Sequence, residues 1–227
     1  MLLSMLGFVG CKLMKVVQCW DDGLVSDIRL SEMLRKYDAK ATFNISTGLN
    51  KESRQVLWCY KGVDVIALAK HELVSVFDGF DIASHSLSHP NLTELPEDQV
   101  RYQITENKKQ LEVIFNRKIK GFCYPFGGAD SKVAKIVEQC GHTYARTTER
   151  KNSVKFGDEK FLAKPSCHFL DEDFWQLYEQ SKEQGVFYFW GHSYEIATEE
   201  MWEELEDKIK RITLDAESQW DSVFNVF

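Results

Sequence analysis

Two neighbouring carboxylates, Asp21 and Asp22, close an apolar run and are followed by Gly23; well downstream stands His85-Ser86-Leu87-Ser88-His89. Together these pieces offer one acid and two imidazoles to a divalent cation, with a second acid to spare. Two nitrogens and one oxygen around a metal, with a position open for water, make a hydrolytic centre. The spare carboxylate is then a natural base for that water. Each piece alone has a plainer reading. Asp-Asp-Gly is commonly a solvated turn in which Gly supplies the positive φ. His-x-x-x-His puts two imidazoles on one face only if the segment is helical, and isolated pairs are a weak signal. Tyr124-Pro125-Phe126-Gly127-Gly128 can be no more than a rigid loop, and His192, at the end of an apolar strand, can be a buried, hydrogen-bonded histidine.

The elements that must position these groups alternate between strand and helix. Lys15 to Trp20, Ala41 to Ile45, Phe80 to Ser84, Ile119 to Tyr124, Thr143 to Thr147 and Val186 to Trp190 read as strands. Helices are expected over Ser26–Tyr37, Val63–Val76, Phe174–Glu183 and Thr198–Ile212, the last with Met201, Trp202, Leu205, Ile209 and Ile212 inward. A longer helix opens at Pro96, with Val100, Ile104, Leu111, Ile114 and Phe115 on its inner face. A short one capped by Ser131 stops at Gly141. Residues 157–172 read as irregular. Such alternation implies parallel strands with helical crossovers, hence an α/β fold: a distorted or incomplete (β/α) barrel of about seven parallel strands. Every candidate group then lies at the C-terminal end of a strand, where barrels of this kind build their active sites.

The chain has 227 residues, 44% apolar and 28% charged, the composition of a folded globular protein. A net charge of −7 argues against a nucleic-acid partner, which would need a basic face. The six cysteines have no Cys-x-x-Cys spacing, which favours scattered thiols over a disulfide framework. Residues 14–227 read as a single domain behind an extension, 1–13, with a natural start expected at Met14. Phe8-Val9-Gly10-Cys11 resembles a lipoprotein cleavage site, but no Lys or Arg precedes that short apolar run. A cytoplasmic location without a membrane span is therefore expected, with secretion or lipid anchoring as the alternative.

In order and spacing the four pieces resemble the polysaccharide deacetylases of carbohydrate esterase family four, the NodB-homology domain, from about Val16 to His192. The family's aromatic-Asp-Asp-Gly stands here as Trp20-Asp21-Asp22-Gly23, and His-Ser/Thr-x-x-His-Pro as His85 to Pro90. Arg-x-Pro-aromatic-Gly stands as Cys123-Tyr124-Pro125-Phe126-Gly127, and the apolar strand ending in His as Phe187 to His192. The resemblance implies a metal-dependent hydrolase that removes N-acetyl or O-acetyl groups from an amino sugar or polysaccharide. It implies one divalent ion, zinc being the expected one, on Asp22, His85 and His89. Asp21 would be the general base and His192 the general acid. The backbone N–H of Phe126 would help hold the oxyanion, and Tyr124 and Trp190 would contact the substrate. Two departures bear on this. Cys123 stands where the family has an arginine, and the Asp-Trp segment that supports the acid histidine is missing. Arg146 is a candidate replacement for the arginine; Glu149 or Asp173 is a candidate support for His192. His168 is a further polar residue near a strand end. A hydrolase of a small non-sugar amide and a non-catalytic carbohydrate- or metal-binding module are the alternatives.

Overall fold

The computed structural model describes residues 13–150 and 159–227. The segment 1–12 and residues 157–158 of the expected irregular stretch lie outside them. In chain order the elements are β1 (Met14–Asp21), α1 (Asp27–Lys36), β2 (Thr42–Ile45), β3 (Gln55–Tyr60), β4 (Val63–Ala67) and α2 (Leu73–Val76). They continue with β5 (Asp81–Ser84), α3 (Glu97–Phe115), β6 (Gly121–Cys123), α4 (Ser131–Gln139), β7 (Tyr144–Arg146) and β8 (Cys167–His168). The last four are α5 (Phe174–Gln184), β9 (Val186–Gly191), α6 (Glu199–Leu214) and β10 (Ser218–Trp220).

Seven strands lie in the order β7-β6-β5-β2-β1-β9-β8, every neighbouring pair parallel. The result is the expected distorted, incomplete (β/α) barrel. The gap between β7 and β8 is crossed by the chain leading into β8, where Ala163 bridges Arg146 in parallel. β1 is central, and seven of its eight residues are buried, as a strand covered on both faces requires. β10, which the sequence reading did not anticipate, pairs with Met14–Val16. Since β9 takes the other side of Lys15 and Val16, β10 sits on the edge of β1 that β2 occupies further along. The outer helices bury apolar stripes of the expected kind. α3 buries Val100, Ile104 and Leu111, and adds Asn107, whose amide donates to Ile45 O and Ser84 Oγ at the ends of β2 and β5. Phe43, Phe187 and Phe189 are fully buried, each worth about 1.5–3 kcal/mol relative to exposure.

Three expectations are corrected. Cys167–His168, inside the stretch 157–172 read as irregular, forms β8 and pairs in parallel with β9. Val63–Val76 is not a helix: β4 pairs antiparallel with β3, and helical residues return only in a 3₁₀ turn at 70–72 and in α2. Lys61 and Gly62 both have positive φ, 49° and 82°, the two-residue turn that joins strands with matching twist. The β-branched run Val63-Asp64-Val65-Ile66 suits a strand better than a helix. The cap of α4 is Asp130 rather than Ser131: its carboxylate accepts the Val133 N–H at 2.8 Å. The five described cysteines are all free, and no helix among the described residues is long and apolar enough to cross a membrane.

Candidate active site

Because the strands are parallel, the C-terminal ends of β1, β5, β6, β7, β8 and β9 open on one side of the barrel, and the candidate groups meet there. Asp21 ends β1. Asp22 follows with φ 89°, a left-handed conformation that ordinary side chains seldom adopt, and its N–H donates to Asn44 O. His85 follows β5; burial pushes its imidazole down to about 3, so the ring is neutral. Its Nδ1 lies 2.9 Å from Cys123 O, which fixes that nitrogen as the donor and leaves Nε2 with a lone pair. The residues from 85 to 89 form an irregular turn, not the helix that would put two histidines on one face. Ser86 and His89 take left-handed φ values of 61° and 58°, and this turn brings the two Nε2 atoms to 3.1 Å. Asp22 Oδ1 lies 3.8 Å from His85 Nε2 and 3.7 Å from His89 Nε2.

These three side chains fit a divalent cation. Two imidazole nitrogens and a carboxylate oxygen converge, and three protein ligands of this kind leave room for water. Asp22 Oδ1 is buried without a hydrogen-bond partner, and burial raises that carboxyl above its ordinary range despite His192 and His89 nearby. A buried carboxylate without a partner is costly, and a bound cation at this point removes the cost.

Asp21 has the opposite environment. Burial alone would raise its pKa, but the Arg146 guanidinium, with help from His85, His192 and Asn44, holds it well below the usual carboxylate range. Arg146 reaches over from the end of β7, with Nη2 2.5 Å from Asp21 Oδ2 and 2.7 Å from Cys123 Sγ. Its guanidinium carbon lies 4.5 Å from the Trp190 ring centroid. Asn44 of β2 donates to Asp21 Oδ1 at 2.6 Å. Asn44 was missed in the sequence, although a lone amide in the apolar run Ala-Thr-Phe-Asn-Ile was visible.

His192 follows β9 after Gly191, where a Cβ would stand 2.1 Å from the Phe169 ring. Its Nε2 is 3.8 Å from Asp21 Oδ2, and its Nδ1 is 3.0 Å from Glu195 Oε2. Burial would lower its pKa, but Glu195, Asp21 and Asp22 push it up to about 9. Neither Glu149 nor Asp173 supports it: Glu149 pairs with Lys164 and Asp173 with Arg150. Glu195 does, three residues on in the same Trp-Gly-His-Ser-Tyr-Glu run. His168 donates from Nε2 to the same oxygen at 2.9 Å, its Nδ1 accepting the Leu170 N–H. His168 therefore acts on Glu195 rather than facing the Asp21–Asp22 pair.

Phe126 has φ 57° in the turn after β6 and is 70% exposed. The turn uses the N–H groups of Gly127 and Gly128 and makes no demand on that of Phe126. Tyr124 lines the cavity with its hydroxyl bonded to Phe161 O at 2.8 Å, so it offers the cavity a ring and no free donor. The cavity measures about 650 Å³. It holds Asp21, Asp22, His85, His89 and His192 among Trp58, Tyr124, Phe126, Trp190 and Tyr194.

An incomplete parallel barrel with an Asp-Asp pair, two convergent histidines and a third histidine opposite is the arrangement of a carbohydrate-esterase domain. The chain belongs to the polysaccharide deacetylase family, whose sequence profile matches residues 12–145. Over 65 residues it is 34% identical to a chitooligosaccharide deacetylase of Azorhizobium caulinodans, a match covering 28% of this chain and 31% of that protein. The chain thus spans less than a third of the curated relative it matches. The fold is similar to that of a family-four pseudoenzyme from Bacillus anthracis, with a TM-score of 0.61 and 16% identity over 95% of this chain and 66% of the other. It is also similar to the family-four domain of a multidomain xylanase from the hindgut metagenome of Trinervitermes trinervoides, with a TM-score of 0.59 and 13% identity over 95% and 90%. Identities this low speak to the fold alone. The fold also serves a pseudoenzyme, so it does not by itself establish activity.

Proposed function

We propose that this chain is a metal-dependent deacetylase that releases acetate from an N-acetylated amino sugar or its oligomers, with Asp22, His85 and His89 holding one divalent ion, zinc by their donor set. The observation that carries this reading is the division of labour between two adjacent carboxylates. Asp22 faces two imidazole nitrogens with an unpartnered oxygen, whereas Asp21 is turned to Arg146 and His192.

When bound, a zinc ion supplies a Lewis acid and lowers the pKa of water to about 7. Asp21, kept ionised by Arg146, takes a proton from water as the C–O bond forms; a carboxylate held this low acts within that step and does not deprotonate water beforehand. The Phe126 N–H donates to the oxygen that gains charge. His192, protonated at neutral pH through its contact with Glu195, gives its Nε2 proton to the nitrogen as the C–N bond breaks. The products are acetate and a free amine. The lost family arginine is replaced in space: the positive charge beside Asp21 comes from β7, and Cys123 leaves room for it.

Acetate release from N-acetylglucosamine oligomers by zinc-loaded protein tests the reading. Turnover should be abolished in Asp21→Asn while the metal stays bound. A wild type that binds zinc and oligomer yet releases no acetate would make the chain a binding module instead.

A further inference from the structure

His168 stands on β8, the short strand at one end of the sheet order, opposite Trp190 of β9. Its ring is held from several sides. The residue's own N–H donates to Asp171 Oδ2 at 2.8 Å, and the Leu170 N–H donates to its Nδ1 at 3.3 Å. Trp190 and Phe169 flank the ring, with centroids 4.7 Å and 4.9 Å away. An accepting Nδ1 leaves the proton on Nε2, so His168 is a neutral donor with a fixed direction. That donor reaches Glu195 Oε2 at 2.9 Å, the same atom that His192 Nδ1 uses.

Three N–H groups therefore converge on one oxygen. Besides His168 Nε2, His192 contributes Nδ1 and its backbone N–H, each at 3.0 Å. Glu195 is tied to residue 192 in a further way, since its own N–H donates to His192 O at 3.2 Å. The carboxylate thus stays beside His192 without help from His168. A carboxylate oxygen offers about two lone-pair directions, so three donors share them and each bond weakens the others. Burial would raise the Glu195 carboxyl, yet its bonds to His168 and His192 hold it down at about 2. Negative charge that His168 takes up is charge withdrawn from His192.

Other charged groups face His192 as well. Asp21 is matched by Arg146, Asp22 is turned to His85 and His89, and the Tyr194 ring lies 5.0 Å from the imidazole. Glu195 is left as the acid whose grip on the imidazolium a neighbour can adjust, and His168 is that neighbour. We propose that His168 is a positioning residue for the acid: by claiming a share of Glu195 Oε2, it limits that carboxylate's hold on His192 and keeps the Nε2 proton transferable. This rests on the deacetylase reading only in naming His192 as the acid. A carboxylate bonded to the imidazolium alone would make a tighter pair, which gives its proton to a departing amine more slowly.

The test follows the His192 ring by NMR between about pH 6 and 11 in full-length, zinc-loaded protein, its signals assigned by their loss in His192→Ala. His168→Phe keeps a flat ring and removes the donor. The His192 midpoint should then rise by roughly half a pH unit to one pH unit, the scale of one hydrogen bond. The alkaline limb of kcat/KM should rise with it, while kcat on the plateau falls about two- to three-fold and KM holds. His168→Gln, whose amide places an N–H near the same point, should restore the wild-type midpoint. A midpoint that is unmoved or lower in His168→Phe, or raised equally in His168→Gln, overturns the proposal. If the phenylalanine variant does not fold, His168→Ala removes the same donor and is read by the same outcomes. A purely structural His168 would lower the melting temperature and leave the midpoint where it was. The ring titration needs no turnover, so a raised midpoint in a protein that releases no acetate counts against the deacetylase reading alone.

Discussion

Arg146 and Asp21, 125 residues apart in the chain, form a buried ion pair with Nη2 2.5 Å from Oδ2. The pair joins the ends of β1 and β7, which lie four strand positions apart in the sheet order. Arg146 Nε and Nη1 are buried without hydrogen-bond partners, and Trp190 stacks against the guanidinium instead. The arrangement spends stability to hold a buried Asp21 ionised, the state that the proposed base role requires.

Arg146→Met should therefore destabilise the fold by about 3–5 kcal/mol, because it leaves a buried carboxylate without its counter-charge. Combining it with Asp21→Asn should recover much of that loss, since the orphaned charge goes too. Urea denaturation of the two single mutants and the double mutant measures the coupling. Additive effects would show that the pair does not set the ionisation of Asp21.

The two adjacent acids should separate cleanly. Asp22→Asn should weaken zinc binding, and His89→Ala should abolish stoichiometric metal. Asp21→Asn should keep the ion and lose turnover. Metal content after gel filtration, read by atomic emission, checks this; equal loss of metal in Asp21→Asn and Asp22→Asn would contradict the assignment.

Glu195 should set the alkaline limb of the rate profile. His192 is raised to about 9 in the fold from an ordinary 6.5. Its contribution to stability is thus fully present below about 6.5 and is lost as pH rises through about 9. Glu195→Gln removes the carboxylate that His192 Nδ1 bonds, so the histidine should titrate at lower pH. The fall in kcat/KM should move down with it, and removal of the acid itself by His192→Ala should cost about 10²–10⁴-fold in rate. Ring chemical shifts of His192 and a kcat/KM profile from pH 5 to 10 report both; an unmoved limb in Glu195→Gln would assign the acid elsewhere.

A second pH effect should come from Asp27 at the start of α1. It accepts hydrogen bonds from Ser193 Oγ and the Leu24 N–H, which ties the His192 loop to the loop after Asp22. Burial outweighs both bonds and raises its carboxyl from 3.8 to about 7. The folded state therefore favours the protonated acid, and stability is lost as pH rises through about 7. Thermal unfolding of Asp27→Asn between pH 4 and 8 should show a flatter dependence than wild type.

The barrel was legible because its strands are short apolar runs separated by helical periodicity, and because the site residues cluster at strand ends. What escaped was set by contacts between distant segments. The Lys61-Gly62 turn and the β-branched residues around it were visible, but the apolar positions over 63–76 also satisfy a helical spacing. Nothing local to Glu149, Asp173 or Glu195 says which of them reaches His192; that depends on how the chain folds after β9. Arg146 and Cys123 pair as neighbours in β7 and β6, which is why an arginine in one strand can supply the charge that position 123 in the next lacks.

The most direct measurement is acetate release from the β-1,4 trimer of N-acetylglucosamine by wild-type protein, first stripped of metal with a chelator and then titrated with zinc. Activity should vanish on stripping and return in proportion to zinc, saturating near one ion per chain, while His89→Ala stays inactive throughout. A full rate in stripped protein, or no acetate at saturating zinc with the trimer bound, would contradict the account.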